Sequence, residues 1–375
     1  MAHFLIRGLQ HPDGIATENA KPGEILKVLT RASLTSDDRL FHRIIEEVTP
    51  TYFGRPEVGI IPDNVVQFAL VLHPDGTADL HVNDFITHVE IMAKLRVEAG
   101  TIVNEGDIAD IRRVRLPEIA VGPQDKLVYC FKAGWKFGLF FDLGSPRSST
   151  LDDIEVMCGT LRRYLSFQHV YDGLTGLDAA LMRSDGWFPF AELLGRDFRR
   201  LHDAYSPGAD CDGLVERIVA GFTPERLNGI MARWWTKPAF KAKQDLLEAG
   251  VQAFNAGTRQ GDIQCVKTLY SEIEGLIRAV YLEDTGKGGG VRITDLLKHI
   301  VERGRAKSGS DQSLLLPTQF LTYLEEVLFA HFNVDTRDID LSRNSSSHGV
   351  ARGADYTRAR ALQGILAADQ LCLYI

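Results

Sequence analysis

The spacing of apolar positions changes along the chain. In the first 150 residues they fall in short runs and alternations; beyond that they recur every three to four residues. Gln67–His73 is a continuous apolar run and Ala78–Asn83 alternates at period two. Pro74-Asp75-Gly76 lies between them. Proline presets φ and glycine accepts positive φ, so a hairpin is expected. Lys126–Phe131 and Lys136–Phe141, flanking Ala133-Gly134, predict a second hairpin. Helix-like pieces are expected at about 37–48 and 85–97.

Leu151, Ile154, Met157, Leu161 and Leu165 then mark a helix, with Asp152 and Asp153 in its first turn. A Gly- and Asp-rich loop is expected at 172–186, a helix over Phe188–Tyr205, and shorter helices near 212–221 and 224–235. Pro238 marks the next break. Further stripes follow: Phe240, Leu247, Val251, Phe254; Val266, Leu269, Ile273, Ile277; Ile293, Leu297, Ile300; Phe320, Leu324, Val327; and Leu362, Ile365, Asp369, Leu373. One apolar face per helix is the pattern of a bundle. The expected fold class is α+β: residues 1–150 a mixed α/β domain with antiparallel hairpins, 151–236 a helical middle segment, and 237–375 an all-α bundle.

Composition narrows the function classes. With 375 residues, 45% apolar and 25% charged, the chain has the balance of a globular protein of two or three domains. No run approaches the ~18 apolar residues of a membrane span. The apolar part of Met1–Gly8 is too short for a secretory signal. Cys130, Cys158, Cys211, Cys265 and Cys372 form no CxxC, which suits a reducing, cytoplasmic setting. No cofactor or metal is expected. His42, His73, His81 and His88 lack ligand spacing, and Thr285–Gly290 lacks the spacing of a phosphate loop. The net charge of −8 is uneven: 231–375 holds 18 basic and 17 acidic residues, so the remaining 24 and 33 leave 1–230 at −9. Only the C-terminal part could meet a polyanion without global repulsion.

The connector at 333–356 is long for a helix–helix link, and such loops are usually functional or disordered. It contains Arg343-Asn344-Ser345-Ser346-Ser347-His348-Gly349. A guanidinium matches phosphate oxygens bidentately, and an imidazole exchanges protons near neutral pH. Together they suit RNA strand cleavage without a metal. His348 would move a proton at the 2′-hydroxyl or the 5′-oxygen, Arg343 would stabilise charge on the phosphorane, and Asn344 would orient His348 or contact phosphate. The blander reading has Arg343 bridging Asp338 or Asp340 and His348 capping the last helix. Glu272 and Glu274 read as a solvated face or salt-bridge partners, and Arg233-Trp234-Trp235-Thr236-Lys237 as packing at a domain junction.

Residues 238–375 resemble the HEPN superfamily, on Arg343, Asn344, His348-Gly349, Asp355-Tyr356 and the apolar helix Leu362–Ile375, with Tyr270–Leu276 similar to an upstream helix. The resemblance implies a metal-independent endoribonuclease with catalytic Arg343, Asn344 and His348, leaving 2′,3′-cyclic phosphate and 5′-hydroxyl ends, in bacterial defence or stress response. It implies RNA as partner and a homodimer through the C-terminal bundle. The N-terminal domain would bind a protein or ligand, or sense a trigger. The alternative is a non-catalytic HEPN-like dimerisation or RNA/nucleotide-binding module attached to an N-terminal interaction domain. Ser345, Ser346 and Ser347 stand where the related subset carries apolar residues, so weaker anchoring of the motif is expected.

Overall fold

The computed structural model describes every residue except 1, 145, 147, 148, 207, 208 and 333–340. Strands β1 (Ala2–Arg7), β2 (Ile15–Ala16), β3 (Val28–Leu29) and β4 (Arg31–Thr35) precede helix α1 (Arg39–Val48), which runs into a π turn at Thr49–Phe53. β5 (Gln67–Leu72) and β6 (Thr77–Val82) form the first expected hairpin. β7 (His88–Ala93) and β8 (Ile108–Arg115) pair with each other; β9 (Lys126–Ala133) and β10 (Lys136–Asp142) form the second hairpin. Lys136 pairs with Ala133, leaving a two-residue turn whose first residue, Gly134, has φ +62°. This is the place where a type II′ turn needs glycine.

Six strands make one antiparallel sheet in the order β1-β6-β5-β9-β10-β4. Both faces of β5 are covered, which is why its sequence is apolar without alternation. Phe68, Leu70 and Leu72 share a core with Phe41, Ile44 and Val48 of α1. Ala69 and Val71 share the other with Ile154, Cys158, Leu161 and Leu165 of α2 (Leu151–Asp172). β6 has one buried face and keeps its alternation.

Helix α2 therefore completes the core of the β-sheet unit instead of opening a separate helical segment. It is interrupted at Phe167 (φ −125°, ψ 30°), and the change of unit falls beside that break. Met1–Ile91 with Ile111–Gln168 make one compact unit; Met92–Asp110 with His169–Ile375 make the other. The expected junctions at 150 and 236 do not coincide with these boundaries, because burial of α2 and of the final helix joins segments that the linear pattern separates.

The second unit is helical: α3 (Gly176–Ser184), α4 (Arg196–Ala204), α5 (Cys211–Ala220), α6 (Pro224–Trp234), α7 (Pro238–Lys241), α8 (Gln244–Asn255), α9 (Arg259–Thr285), α10 (Ile293–Ser308), α11 (Pro317–Tyr323) with a π turn at Leu324–Leu328, α12 (Arg343–Ser347) and α13 (Arg358–Tyr374). Three local expectations are corrected. The 172–186 loop contains α3, because Leu177–Met182 outweighs the flanking glycines. The Phe188–Tyr205 helix is confined to α4, since the backbone is extended at Leu194 and Gly195 sits at φ +93° immediately before it, a conformation glycine accepts and a helix does not. The piece at 85–97 is β7: its apolar positions fit either period, and β8 supplies a strand partner.

The final helix departs furthest from the one-faced pattern. Ala361 to Tyr374 are all buried, and α13 packs against α5, α6, α8, α9 and α10. Its polar side chains are each satisfied, as buried polar groups must be. Gln363 Nε2 donates to Asp185 O at 2.9 Å. Gln370 accepts from Ala191 N at 2.8 Å and donates to Leu315 O at 2.9 Å. Asp369 accepts from Arg233 and from Trp234 Nε1. Segment 92–110 is tied into this unit: Arg233 Nη1 donates to Lys94 O, Glu105 pairs with Arg199, and Asp110 accepts from Ser313 Oγ and Leu314 N.

Candidate functional site

The chain enters α12 through a reciprocal serine cap. Ser342 Oγ accepts from Ser345 N at 3.2 Å, and Ser345 Oγ accepts from Ser342 N at 2.8 Å. Ser342 Oγ also donates to Ala330 O at 3.0 Å. Ser345 is fully buried, and Ser346 Oγ accepts from Tyr356 O–H at 3.1 Å. The expectation of weak anchoring is thus corrected, since these two serines hold the segment by hydrogen bonds where apolar residues would hold it by packing. Asn344 Nδ2 donates to Phe329 O at 2.9 Å and Ala330 O at 3.2 Å. Those carbonyls follow the π turn after α11, and helix ends leave such groups needing partners. Asn344 therefore positions α12, with its amide nitrogen engaged by backbone.

Arg343 turns toward α9. Its Nη2 lies 2.7 Å from Glu274 Oε2, and the other oxygen of Glu274 accepts from Arg278 Nε at 2.8 Å. Glu272 pairs with Lys243 Nζ at 2.5 Å. Both glutamates are thus salt-bridge partners. Asp338 and Asp340, the partners expected for Arg343, lie outside the described residues. The Nε of Arg343 is buried with no hydrogen-bond partner.

His348 closes α12, its N donating to Asn344 O at 3.0 Å. The side chain is exposed, and its ring lies 5.5 Å from that of Phe332. It does not cap the last helix: Thr357 Oγ1 does, accepting from Arg360 N. Five residues on a helix span about 7.5 Å and about 140° of rotation. In keeping with that separation, no hydrogen bond, ion pair or ring contact joins Arg343 to His348 among the described residues. One chain thus presents a solvent-facing imidazole and, at the other end of a short helix, a partly exposed guanidinium held by a carboxylate. The first can move protons; the second can neutralise a phosphate once Glu274 shares or yields it.

The Trp pair is packing. Trp234 is fully buried and donates to Asp369. Beside it lies a charge cluster the sequence reading did not assemble: Arg233 pairs with Asp369 at 2.6 Å and with Glu192 at 3.0 Å, while Arg226 pairs with Glu192 and Asp197. Burial pushes the Asp369 carboxyl up against the pull of Arg233, and burial pushes the nearby Lys94 ammonium down. The available signal was Asp369 itself, an acid in the last apolar stripe.

Among the described residues, no group of three or more His, Cys, Asp or Glu side chains is placed to hold a metal ion, and no helix is long and apolar enough to cross a membrane. Neither family models, nor curated proteins, nor solved structures yielded a match to the chain.

Proposed function

We propose that the helical unit is a HEPN-type endoribonuclease in which His348 transfers protons and Arg343 stabilises charge on the scissile phosphate. The observation that carries this reading is the exposed imidazole of His348 at one end of a capped, hydrogen-bonded helix whose other end bears a partly exposed guanidinium. An exposed loop imidazole fixed by its backbone can reach a polymeric substrate, and positioned proton transfer contributes roughly 10²–10⁴-fold to rate. The reading further implies a homodimer, in which the Arg343 and His348 of two copies share one cleft.

A second reading is favoured by one contact: Arg343 is already paired with Glu274 at 2.7 Å. If that pair persists when RNA is present, the unit is a non-catalytic RNA/nucleotide-binding or dimerisation module. Incubation of single-stranded RNA with the purified chain in EDTA separates the two. Cleavage leaving 2′,3′-cyclic phosphate ends, reduced at least a hundredfold by His348→Ala with the circular dichroism spectrum unchanged, supports the nuclease. Cleavage that survives that substitution removes His348 from the chemistry, and no cleavage by the wild type leaves the binding reading.

A further inference from the structure

A cavity of about 500 Å³ lies within the β-sheet unit, between α1 and one face of the sheet. Ile44, Val48, Leu72, Val128, Phe141 and Leu143 supply apolar walls, and the β1–β2 connection, Gln10–Ala16, forms its rim. Protein cores are normally close-packed, with few voids larger than a water molecule. This space is a cleft open to solvent at its rim, and it persists only while the rim does not collapse into it.

The rim is anchored away from the cavity. Lys126, buried at 3% exposure, donates from Nζ to Pro12 O at 2.5 Å and pairs with Asp13 at 3.1 Å. Ile15 pairs with Leu29 across β2 and β3, and Leu9 N donates to Gly76 O at 3.1 Å. Gly14 passes so close to Val28 and the Leu29 carbonyl that a Cβ there would collide with both. These contacts hold the rim to its own neighbours, so the space beneath is preformed, the condition that lowers the cost of binding.

Three ionisable side chains line the opening. Arg43 and Glu47, both exposed and one turn apart on α1, line the opening and make no ion pair among the described residues, so Arg43 is the cation there and Glu47 a like charge that a bound carboxylate must avoid. The Nε2 of His11 is covered yet makes no hydrogen bond. A concave site with mostly apolar walls and a few polar groups is the usual form of a small-molecule pocket, and its volume lies in the range of such pockets.

We propose that this cavity binds a small organic acid, its aliphatic or aromatic body against the sheet and its carboxylate met at the rim by Arg43, with His11 as a second donor. Such a site would give the β-sheet unit a ligand of its own, whether or not the helical unit cleaves RNA.

The test is a methyl-resolved NMR titration of the intact chain with 4-phenylbutyrate, and with 4-phenylbutanol as the uncharged counterpart. Saturable shifts at the methyls of Ile15, Ile44, Val48, Leu72 and Val128 are expected. Arg43→Ala should weaken phenylbutyrate about tenfold and leave phenylbutanol unchanged, while Val128→Phe, which fills the cavity, should abolish both. The wild-type map decides even if the filled variant fails to fold: no saturation, or shifts confined to other methyls, overturns the proposal. Equal weakening of both ligands by Arg43→Ala overturns the assignment of the carboxylate.

Discussion

His73 sits between two carboxylates, and that gives it a pH dependence with a definite sign. Its Nδ1 lies 2.9 Å from Asp125 and its Nε2 3.1 Å from Asp79, whose other oxygen meets His3 at 2.9 Å. Burial alone would lower its pKa, but the hydrogen bonds to Asp125 and Asp79 outweigh it and raise the value above the ordinary 6.5. The stabilisation is therefore fully present below 6.5 and lost as pH rises through the folded value. His81, stacked on His3, runs the other way, since burial and His3 lower it. In urea melts, His73→Gln should cost stability at pH 6 and little at pH 9; equal losses at both would refute the ionic account. At the buried Arg233–Asp369 pair, Arg233→Met leaves Asp369 without its guanidinium, while Glu192 keeps Arg226. Removing one partner of such a pair costs about 3–5 kcal/mol. The double variant Arg233→Met/Asp369→Leu should recover part of that loss in the same melts.

At the scale of elements, close approach and capping decide more than propensity. Gly304 lies inside α10, where Ala would ordinarily be favoured by about 1 kcal/mol. Here a Cβ would meet the Tyr374 ring at 2.6 Å, so packing outweighs propensity. Gly304→Ala should destabilise the helical unit by about 1–3 kcal/mol, the usual cost of overpacking, seen as a lower urea midpoint. In α12, Ser342 serves Ser345 N and Ala330 O together. Ser342→Ala removes both contacts at a cost of about 0.5–2 kcal/mol. Amide exchange should speed up at Ser345, Ser346 and His348 while exchange in α13 stays slow. If exchange at those three amides is unchanged, the serine cap is not what orders the segment.

Across the whole molecule, the two units are not consecutive stretches of chain. The polypeptide leaves the first unit after Ile91, returns at Ile111 and leaves again after Gln168. A fragment ending at residue 150 lacks Ile154, Cys158, Leu161 and Leu165, which cover Val71, Tyr129 and Phe140 on one face of the sheet. That fragment should bind an apolar dye and show poor amide dispersion, whereas 1–168 should be better ordered by the same two measurements. A fragment of 169–375 lacks Asp110 and Glu105 and with them the partners of Ser313, Leu314 and Arg199. It should melt below the intact chain's helical transition.

Local periodicity by itself determined the α+β class, both hairpins and most of the helical stripes, because each needs only contacts between residues near in sequence or a turn of known chemistry. Arg343, Asn344 and His348 were likewise legible as residue types in a short segment. Tertiary structure alone decided that Arg343 meets Glu274 while His348 stays exposed, that Ser345 and Ser346 bind where apolar residues would pack, and that α13 is buried on every side. It also decided that α2 belongs with the sheet and 92–110 with the helices. The physical reason is that a side chain's partner on another element leaves no trace in the period of its own element, and only contact with that partner fixes it.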